Sequence, residues 1–147
     1  KFDKASYALN HPAGAIGRAL VLKVTDVMRK GAKLAAVTKE KTVLEALMAM
    51  TEAGAGSAVV TDENGKLAGI FTDGDFRRHV SGGRGILGDP VADYMTAKPL
   101  FIKSDTYAAE VLKVFEQKRI DDLPVCDADG RVVGLVDLQD LPKMKVI

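Results

Sequence analysis

Tryptophan is absent from this 147-residue sequence, and cysteine and histidine are scarce, with one and two copies. The lone cysteine, Cys126, cannot form an intrachain disulfide, so we expect a reducing compartment. Two distant histidines and one cysteine do not make a metal-ligand set, so no metal site is predicted. Aromatic residues make up 5% of the chain, which is too few for the stacking platforms of proteins that bind single-stranded nucleic acid.

Net charge and long apolar runs are also missing. The 21 Lys and Arg residues balance 20 Asp and Glu residues, which leaves a formal charge of +1 and no basic surface for nucleic acid or an anionic membrane. No apolar run approaches the ~20 residues of a membrane-spanning helix, and no signal-peptide pattern is found. We therefore expect a cytoplasmic protein. Because the sequence begins with Lys1 rather than Met, we also expect it to be part of a longer protein.

What the sequence does contain is an internal duplication. Residues 37–76 align without gaps to residues 102–141, at an offset of 65. Upstream, VTDVM (24–28) and VADYM (91–95) also match, with a slippage of two residues. Few positions are identical, but the order of the signals for strands, helices and turns is the same in both copies.

Each copy predicts the same series of elements. Asn64-Gly65 and Asp129-Gly130 supply the positive φ angles that hairpin turns require. The predicted elements, with the first copy given before the second, are a strand at 35–37 and 100–102, an amphipathic helix, a strand at 57–61 and 123–126, a turn at 62–65 and 127–130, a return strand at 66–71 and 131–136, and a short helix that begins near Thr72 and near Asp137.

The amphipathic helix of each copy is located by apolar residues at helical spacing. Asp105 is the predicted N-cap of the second helix, and Met48 and Met50 are predicted to fill the core. The predicted buried stripe is Leu44, Leu47, Met48 and Thr51 in the first copy, and Ala108, Val111, Leu112 and Phe115 in the second.

The order β-α-β-β-α, present twice, predicts the α/β (α+β) fold class. One copy is too small to cover both faces of its sheet, so the two copies should pack on each other as a pseudo-two-fold tandem. Between them, a Gly-Gly-Arg-Gly stretch followed by Asp89-Pro90 predicts a flexible connector rather than a phosphate loop. The predicted divisions are an N-terminal stub and linker at 1–23, a first domain at 24–80, a glycine-rich linker at 81–90 and a second domain at 91–147.

The segment Gly69-Ile70-Phe71-Thr72-Asp73-Gly74-Asp75 resembles the nucleotide-contact motif of the cystathionine-β-synthase-type (CBS) domain family. In that motif a glycine, two apolar residues, Ser or Thr, two variable residues and Asp follow one another. The resemblance extends over about residues 24–141. It implies that Thr72 meets a phosphate or ribose oxygen and that Asp75 accepts hydrogen bonds from ribose hydroxyls.

The chemistry of this segment agrees with a ligand site. Thr72 is predicted to lie where a strand leads into a helix, and free backbone N–H groups there favour an anion. Gly69 allows a close approach of the backbone, and Arg77 and Arg78 are near enough to reach a phosphate. A second interpretation stays open, because Thr72 and Asp75 also fit a capping box, which needs no ligand.

The second copy departs from the motif. Asp137 stands where the family prefers Ser or Thr, and Asp121 and Asp122 precede the middle strand. Two like unit charges ~4 Å apart repel by about 1 kcal/mol even in water, so these carboxylates disfavour a phosphate. We therefore expect unequal sites, with the phosphate-bearing ligand in the first copy and the second copy either empty or occupied by a neutral or cationic group.

Residues 10–22, NHPAGAIGRALVL, resemble the segment that joins the sugar-isomerase (SIS) domain to the CBS pair in bacterial D-arabinose-5-phosphate isomerases. The resemblance implies that His11 contributes to an isomerase active site, where an imidazole suits proton shuttling through an enediol. The alternative is a His11 that caps or packs against the linker helix. Because the sugar-binding body is not in this sequence, the chain alone is not expected to catalyse a reaction.

These resemblances predict a regulatory CBS pair that binds a nucleotide or nucleotide sugar, with CMP-Kdo, AMP or ATP as candidate ligands and no required cofactor. The parent protein would interconvert D-ribulose 5-phosphate and D-arabinose 5-phosphate for Kdo and lipopolysaccharide synthesis. The family also implies a homodimer of the CBS pair, joined to a sugar-isomerase domain. Two alternatives are a structural dimerisation tandem without a ligand, and an adenine-nucleotide sensor of another enzyme or transporter.

Overall fold

The computed structural model describes residues 20–83 and 85–146. The helices are α1 (Val24–Val27), α2 (Val43–Ala53), α3 (Asp73–Val80) and α4 (Ala108–Lys118), with 3-10 turns at Gly31–Lys33, Val91–Asp93 and Leu138–Asp140. The strands are β1 (Ala36–Thr38), β2 (Ser57–Thr61), β3 (Leu67–Thr72), β4 (Thr96–Ala97), β5 (Ile102–Lys103), β6 (Asp122–Cys126) and β7 (Val132–Asp137). No helix in the two described ranges is long and apolar enough to cross a membrane.

The strands form two sheets that repeat one pattern, in the orders β1-β2-β3-β4 and β5-β6-β7. β1 is parallel to β2 and β2 is antiparallel to β3, and β5, β6 and β7 pair in the same way. The register shifts at equivalent places, between Val60 and Thr61 and between Val125 and Cys126. The predicted α/β (α+β) class, with two packed repeats, is therefore confirmed, although the short helix predicted near Asp137 is a 3-10 turn at Leu138–Asp140.

The turn after each middle strand is held by an aspartate. Asp62 Oδ1 accepts hydrogen bonds from the backbone N–H groups of Lys66 at 3.0 Å and Asn64 at 2.8 Å. These two bonds lower the pKa of Asp62. Gly65 and Gly130 adopt φ angles of 80° and 85°, as the predicted hairpin turns require.

Helix α2 begins with a capping box that the sequence analysis did not identify. Thr42 Oγ1 accepts the Glu45 N–H at 3.1 Å, and Glu45 Oε1 accepts the Thr42 N–H at 3.1 Å. The helix ends at Gly54, which adopts the left-handed conformation with a φ of 63°. Both ends of α2 are therefore fixed by local residue chemistry.

The buried face of α2 is not the predicted one. Its buried residues are Val43, Ala46 and Met50. Of the predicted stripe, Leu47 is half-buried, whereas Leu44, Met48 and Thr51 are exposed. Both stripes carry apolar residues at a spacing of three to four, so the hydropathy of the helix alone did not distinguish them. The predicted core position is thus confirmed for Met50 and wrong for Met48.

The start of helix α4 also differs from the prediction. The helix begins after Tyr107, which makes no side-chain cap, so Asp105 is not the N-cap. The Ala108 N–H instead donates to the Leu22 carbonyl at 2.8 Å. A backbone group from the preceding segment thus takes the place of a capping side chain. The predicted stripe is confirmed by the burial of Ala108, Val111 and Phe115, with Leu112 half-buried.

The segments that precede the two repeats are exchanged between the sheets. Residues 22–29 lie against the second repeat, where the Arg29 N–H donates to the Leu135 carbonyl at 2.7 Å and the Leu135 N–H donates back at 3.1 Å. Strand β4, which precedes the second repeat, pairs with β3 of the first. Each sheet is therefore completed by the segment that introduces the other repeat.

A glycine stands at each of these crossings. A Cβ on Gly69 would lie 2.8 Å from the Thr96 carbonyl oxygen, and one on Gly134 would lie 2.7 Å from the Arg29 carbonyl oxygen. Real Cβ atoms do not approach backbone oxygens so closely, so both positions need glycine. The two repeats thus have glycine at the same aligned position because another backbone segment packs directly against each one.

The second half of the glycine-rich linker packs against α2. Ile86 is fully buried in the core of the first repeat. The first N–H groups of α2, those of Val43 and Leu44, donate to the carbonyls of Asp89 at 2.9 Å and Leu87 at 3.0 Å. The prediction of a flexible connector is therefore wrong for residues 86–90, because they satisfy the free N–H groups of a helix N-terminus.

The two repeats meet through equivalent residues. Ser57 Oγ donates to Asp122 Oδ1 at 3.1 Å, and Lys66 forms a β-bridge with Arg131. Each pair is separated by the repeat offset of 65, so a pseudo-two-fold axis passes between its members. A shared apolar cluster lies in this interface and consists of Val59, Ile70, Leu135, Leu34 and Val132.

Candidate functional site

A cleft of about 710 Å³ lies between the repeats. This volume is within the range of small-molecule sites. The wall from the first repeat consists of Gly54, Gly56, Ile70, Thr72, Asp73, Gly74, Asp75, Arg77 and Arg78. The remaining wall consists of Arg29, Thr96, Pro99, Leu100, Arg119, Ile120, Asp121, Asp122, Asp137, Gln139, Asp140 and Lys143.

The predicted site residues Thr72 and Asp75 meet at one end of this cleft. Thr72 ends β3 and is the N-cap of α3, and its Oγ1 accepts the Asp75 N–H at 3.1 Å. Asp75 is buried, and its Oδ2 accepts the Thr72 N–H at 3.0 Å. The capping box is therefore present, and it lies in the wall of a cavity that a ligand can enter. One pair of residues has the geometry for both roles.

Two arginines of helix α3 flank the same end. Arg78 Nη2 donates to Asp75 Oδ1, and Arg77 lines the cleft beside it. Both arginines are exposed. A Cβ on Gly74 would lie 3.4 Å from Arg78 and 3.5 Å from the Thr72 hydroxyl. The predicted set of Thr72, Asp75, Arg77 and Arg78 is thus brought together by the fold.

One further predicted site residue is not part of this wall, and another cannot be placed against it. Gly69 lies in the buried crossing of β3 and β4, against Met95 and Thr96, and does not line the cleft. Gly69 was predicted to bind the ligand. In the structure its lack of a side chain instead allows β3 to pack closely against β4. His11 lies outside the described residues.

The end of the cleft that the second repeat forms is rich in carboxylates. Asp137 Oδ1 accepts the Gln139 N–H at 2.9 Å and so caps the final 3-10 turn. Burial, with the nearby carboxylates of Asp137 and Asp121, raises the pKa of Asp122 to about 6, despite the hydrogen bond from the Ser57 hydroxyl. This end is therefore poorly suited to a phosphate, as its sequence predicts.

The sequence analysis missed three cations of the cleft, which are Arg29, Arg119 and Lys143. Arg29 donates to both carboxylate oxygens of Asp140, at 2.7 and 3.2 Å. Arg119 follows α4 in the left-handed conformation, with a φ of 51°. The repeat alignment contained a signal for Arg119, because it pairs Arg119 with Gly54. An arginine at the position of a helix-ending glycine is unusual, and both residues adopt the left-handed conformation after their helices.

Comparison with known proteins agrees with this geometry. The CBS domain family matches residues 24–82 and 91–143. The arabinose 5-phosphate isomerase KdsD of Pseudomonas aeruginosa is 43% identical over 146 residues, and the match spans 99% of this chain and 45% of that protein. For GutQ of Salmonella typhi, also an arabinose 5-phosphate isomerase, the identity is 33% with the same shares. The chain thus spans slightly less than half the length of these relatives.

A solved structure gives a similar result. The CBS-pair protein CBSX2 of Arabidopsis thaliana, crystallised in complex with AMP, superimposes with a TM-score of 0.68 at 25% identity, over 84% of this chain and 95% of that one. The family match includes both repeats and the cleft residues that lie between them. The chain therefore belongs to the CBS domain family, as a tandem pair whose matched sequence relatives include arabinose 5-phosphate isomerases.

Proposed function

We propose that this chain is the nucleotide-binding regulatory CBS pair of an arabinose-5-phosphate isomerase. The observation that carries the proposal is the meeting of Thr72, Asp75, Arg77 and Arg78 in one wall of the inter-repeat cleft. The matched isomerases support the assignment of the parent protein. CBSX2 in complex with AMP supports the ligand class.

The cleft wall supplies a group for each part of a nucleotide. The guanidinium of Arg77 binds the phosphate, and the positive end of the α3 dipole favours an anion beside it. The Asp75 carboxylate accepts a hydrogen bond from a ribose hydroxyl after Arg78 moves aside. The apolar side chains of Ile70, Leu100 and Ile120 line the same cleft and offer a surface to the base.

The parent protein converts between D-ribulose 5-phosphate and D-arabinose 5-phosphate in the cytoplasm, and so supplies Kdo for lipopolysaccharide. His11 belongs to the isomerase active site, and the linker at 10–24 carries the ligand signal to it. A ligand acts in this way when it binds two states of the protein with different affinity. A nucleotide sugar at the end of this route, CMP-Kdo, is a feedback candidate, and AMP and ATP are the general ones.

The pair assembles as a homodimer through the outer face of α2. Leu44 and Met48 are 46% and 61% exposed there, one helical turn apart on the same side. Leu87, also exposed, lies beside them because its carbonyl accepts the Leu44 N–H at 3.0 Å. A second copy of the chain that covers these side chains removes apolar surface from water.

Titration calorimetry of the chain with CMP-Kdo, CMP, AMP and ATP tests the binding proposal. At least one of these ligands is expected to bind, and Thr72→Ala is expected to weaken its binding at least tenfold. Thr42→Ala is the matched control, because Thr42 caps α2 in the same way but lies outside the cleft wall. Each variant should lose about 1 kcal/mol of stability with its cap, and only Thr72→Ala should lose ligand.

Two outcomes contradict the proposal. The first is that none of the four ligands produces heat of binding although circular dichroism shows an intact fold. This outcome would favour a structural tandem in which Thr72 and Asp75 serve only as a helix cap. Equal ligand affinities of the Thr72→Ala and Thr42→Ala variants would show that the ligand binds away from the Thr72 motif. The assignment of the parent protein is tested by reading the coding sequence that precedes Lys1. A sugar-isomerase domain is expected there, and a transporter or another enzyme would contradict the assignment.

A further inference from the structure

The two motif aspartates, Asp75 and Asp140, are equivalent in the repeat, and each has an arginine partner of a different kind. Arg78, which pairs with Asp75, lies one turn later on the same helix, and its side chain is 68% exposed. Arg29, which pairs with Asp140, is 111 residues away in the chain, and its side chain is 16% exposed. The two aspartates therefore differ in their partners. Asp75, with 6% of its side chain exposed, pairs with an exposed arginine, whereas Asp140, at 18%, pairs with an arginine that is largely covered.

Arg29 is held in place on several sides. Its guanidinium donates to both carboxylate oxygens of Asp140, at 2.7 and 3.2 Å. Its Nη1 donates to the carbonyls of Lys33 and Ala53, each at 3.3 Å. Its backbone is fixed by the two hydrogen bonds to Leu135. A planar guanidinium with two parallel bonds to a carboxylate is a geometrically specific pairing, and removing either partner here leaves a poorly solvated charge.

The Arg78–Asp75 pair has none of this support. Asp75 is buried, with 6% of its side chain exposed, but the Arg78 side chain is 68% exposed, so water can solvate Arg78 when it leaves the pair. A ligand hydroxyl can therefore replace Arg78 on Asp75 while Arg78 turns to solvent or to a phosphate. At Asp140 the same replacement has to displace a buried arginine from three acceptor groups.

Charge at the second motif acts in the same direction. The carboxylates of Asp121, Asp122 and Asp137 line the cleft around it. Asp137 and Asp122 are already hydrogen-bonded to the Gln139 N–H and the Ser57 hydroxyl. A phosphate placed there meets these three carboxylates, against which Lys143, the repeat equivalent of Arg78, supplies a cation, and Arg29 is already paired with Asp140.

We propose that Arg29 acts as a built-in occupant of the second motif, so that the cleft takes one nucleotide per chain, at the Thr72 and Asp75 end. The inference rests on the proposed nucleotide-binding function. It adds to that function a binding stoichiometry of one nucleotide per chain, and it names Arg29 as the residue that sets this stoichiometry. The chain then reports one ligand concentration rather than a balance of two nucleotides that compete for two sites.

Calorimetry of the unmodified chain with each of CMP-Kdo, CMP, AMP and ATP gives the stoichiometry directly. One equivalent per chain is expected for the nucleotide that binds, and two equivalents would overturn the inference.

The repeat supplies a matched pair of variants. Asp75→Asn should weaken binding at least tenfold, whereas Asp140→Asn should leave it within twofold. Equal losses in the two variants would also overturn the inference. Failure of all four ligands to bind the unmodified chain contradicts the proposed function itself.

Arg29→Gln tests the arginine apart from the acidic surroundings. Uncharged adenosine is the probe, because it is not repelled by the carboxylates of Asp121, Asp122 and Asp137. The freed Asp140 is expected to accept one additional equivalent of adenosine relative to the unmodified chain. A folded Arg29→Gln variant with an unchanged stoichiometry would show that Arg29 does not close the second motif.

Discussion

Asp122 is a half-buried carboxylate that lies between the repeats, and its surroundings affect the stability of the whole chain. Burial and the neighbouring Asp137 raise its pKa to about 6, against about 4 in an unfolded chain. Between these pH values the folded state binds more protons than the unfolded state. The free energy of unfolding therefore falls as the pH rises through this window.

Asp122→Asn should remove this loss, because the amide carries no charge and still accepts the hydrogen bond from Ser57. The stability gain of the variant over the unmodified chain is expected to be larger at pH 7.5 than at pH 4 by on the order of 2 kcal/mol. Urea unfolding at the two pH values measures this difference. Asp129→Asn, at an exposed aspartate of the second hairpin turn, is the control and should show little change in stability gain between the two pH values. An equal gain at both pH values for Asp122→Asn would contradict the raised pKa.

Single residues also show where sequence reasoning ends. Thr72 and Asp75 were identified because a strand-to-helix motif places them three residues apart. Arg29 was missed because its partner Asp140 is 111 residues away, and no local pattern joins them. The two meet only because the segment before the first repeat crosses β7 of the second.

At the level of elements, each exchanged segment depends on a glycine. Gly69→Ala places a methyl group on Met95 and 2.8 Å from the Thr96 carbonyl oxygen. The backbone of β4 must then move, so we expect a loss of about 1–3 kcal/mol, as for other overpacked sites. Thermal or urea unfolding measures it. Gly82→Ala is the control, since a Cβ there meets nothing within 4 Å, and it should change stability by less than about 0.5 kcal/mol. Similar losses in both variants would contradict the role of the crossing.

The middle and return strands of each repeat were predicted closely from sequence, whereas β4 (Thr96–Ala97) was not predicted and the packing of the helices was not either. Alternation and turn residues located β2 at 57–61, because a strand and its hairpin turn are set by neighbouring residues. The buried face of α2 could not be selected, because Leu44 and Met48 are as apolar as the residues that face the sheet. The exchange of the leading segments was also beyond prediction, since VTDVM and VADYM match as sequences but carry no sign of which sheet each completes.

At the level of the whole molecule, the exposed face of α2 predicts the assembly state. Met48→Glu should convert a homodimer into a monomer, because a charge would be buried against the partner copy. Sedimentation velocity measures the change. Lys113→Glu is the control, since Lys113 is the repeat equivalent of Met48 on α4, and this variant should remain a dimer. A Met48→Glu chain that is still dimeric would place the interface elsewhere.

The central claim is that the cleft between the repeats binds a nucleotide at the Thr72 and Asp75 end. Residue-resolved NMR of the chain, titrated with CMP-Kdo, CMP, AMP and ATP, tests it most directly. Saturable shifts of the backbone amides of residues 70–78 are expected for at least one of these ligands, with much smaller shifts at residues 137–140. Unchanged spectra with all four ligands, or shifts centred on residues 137–140, would contradict it.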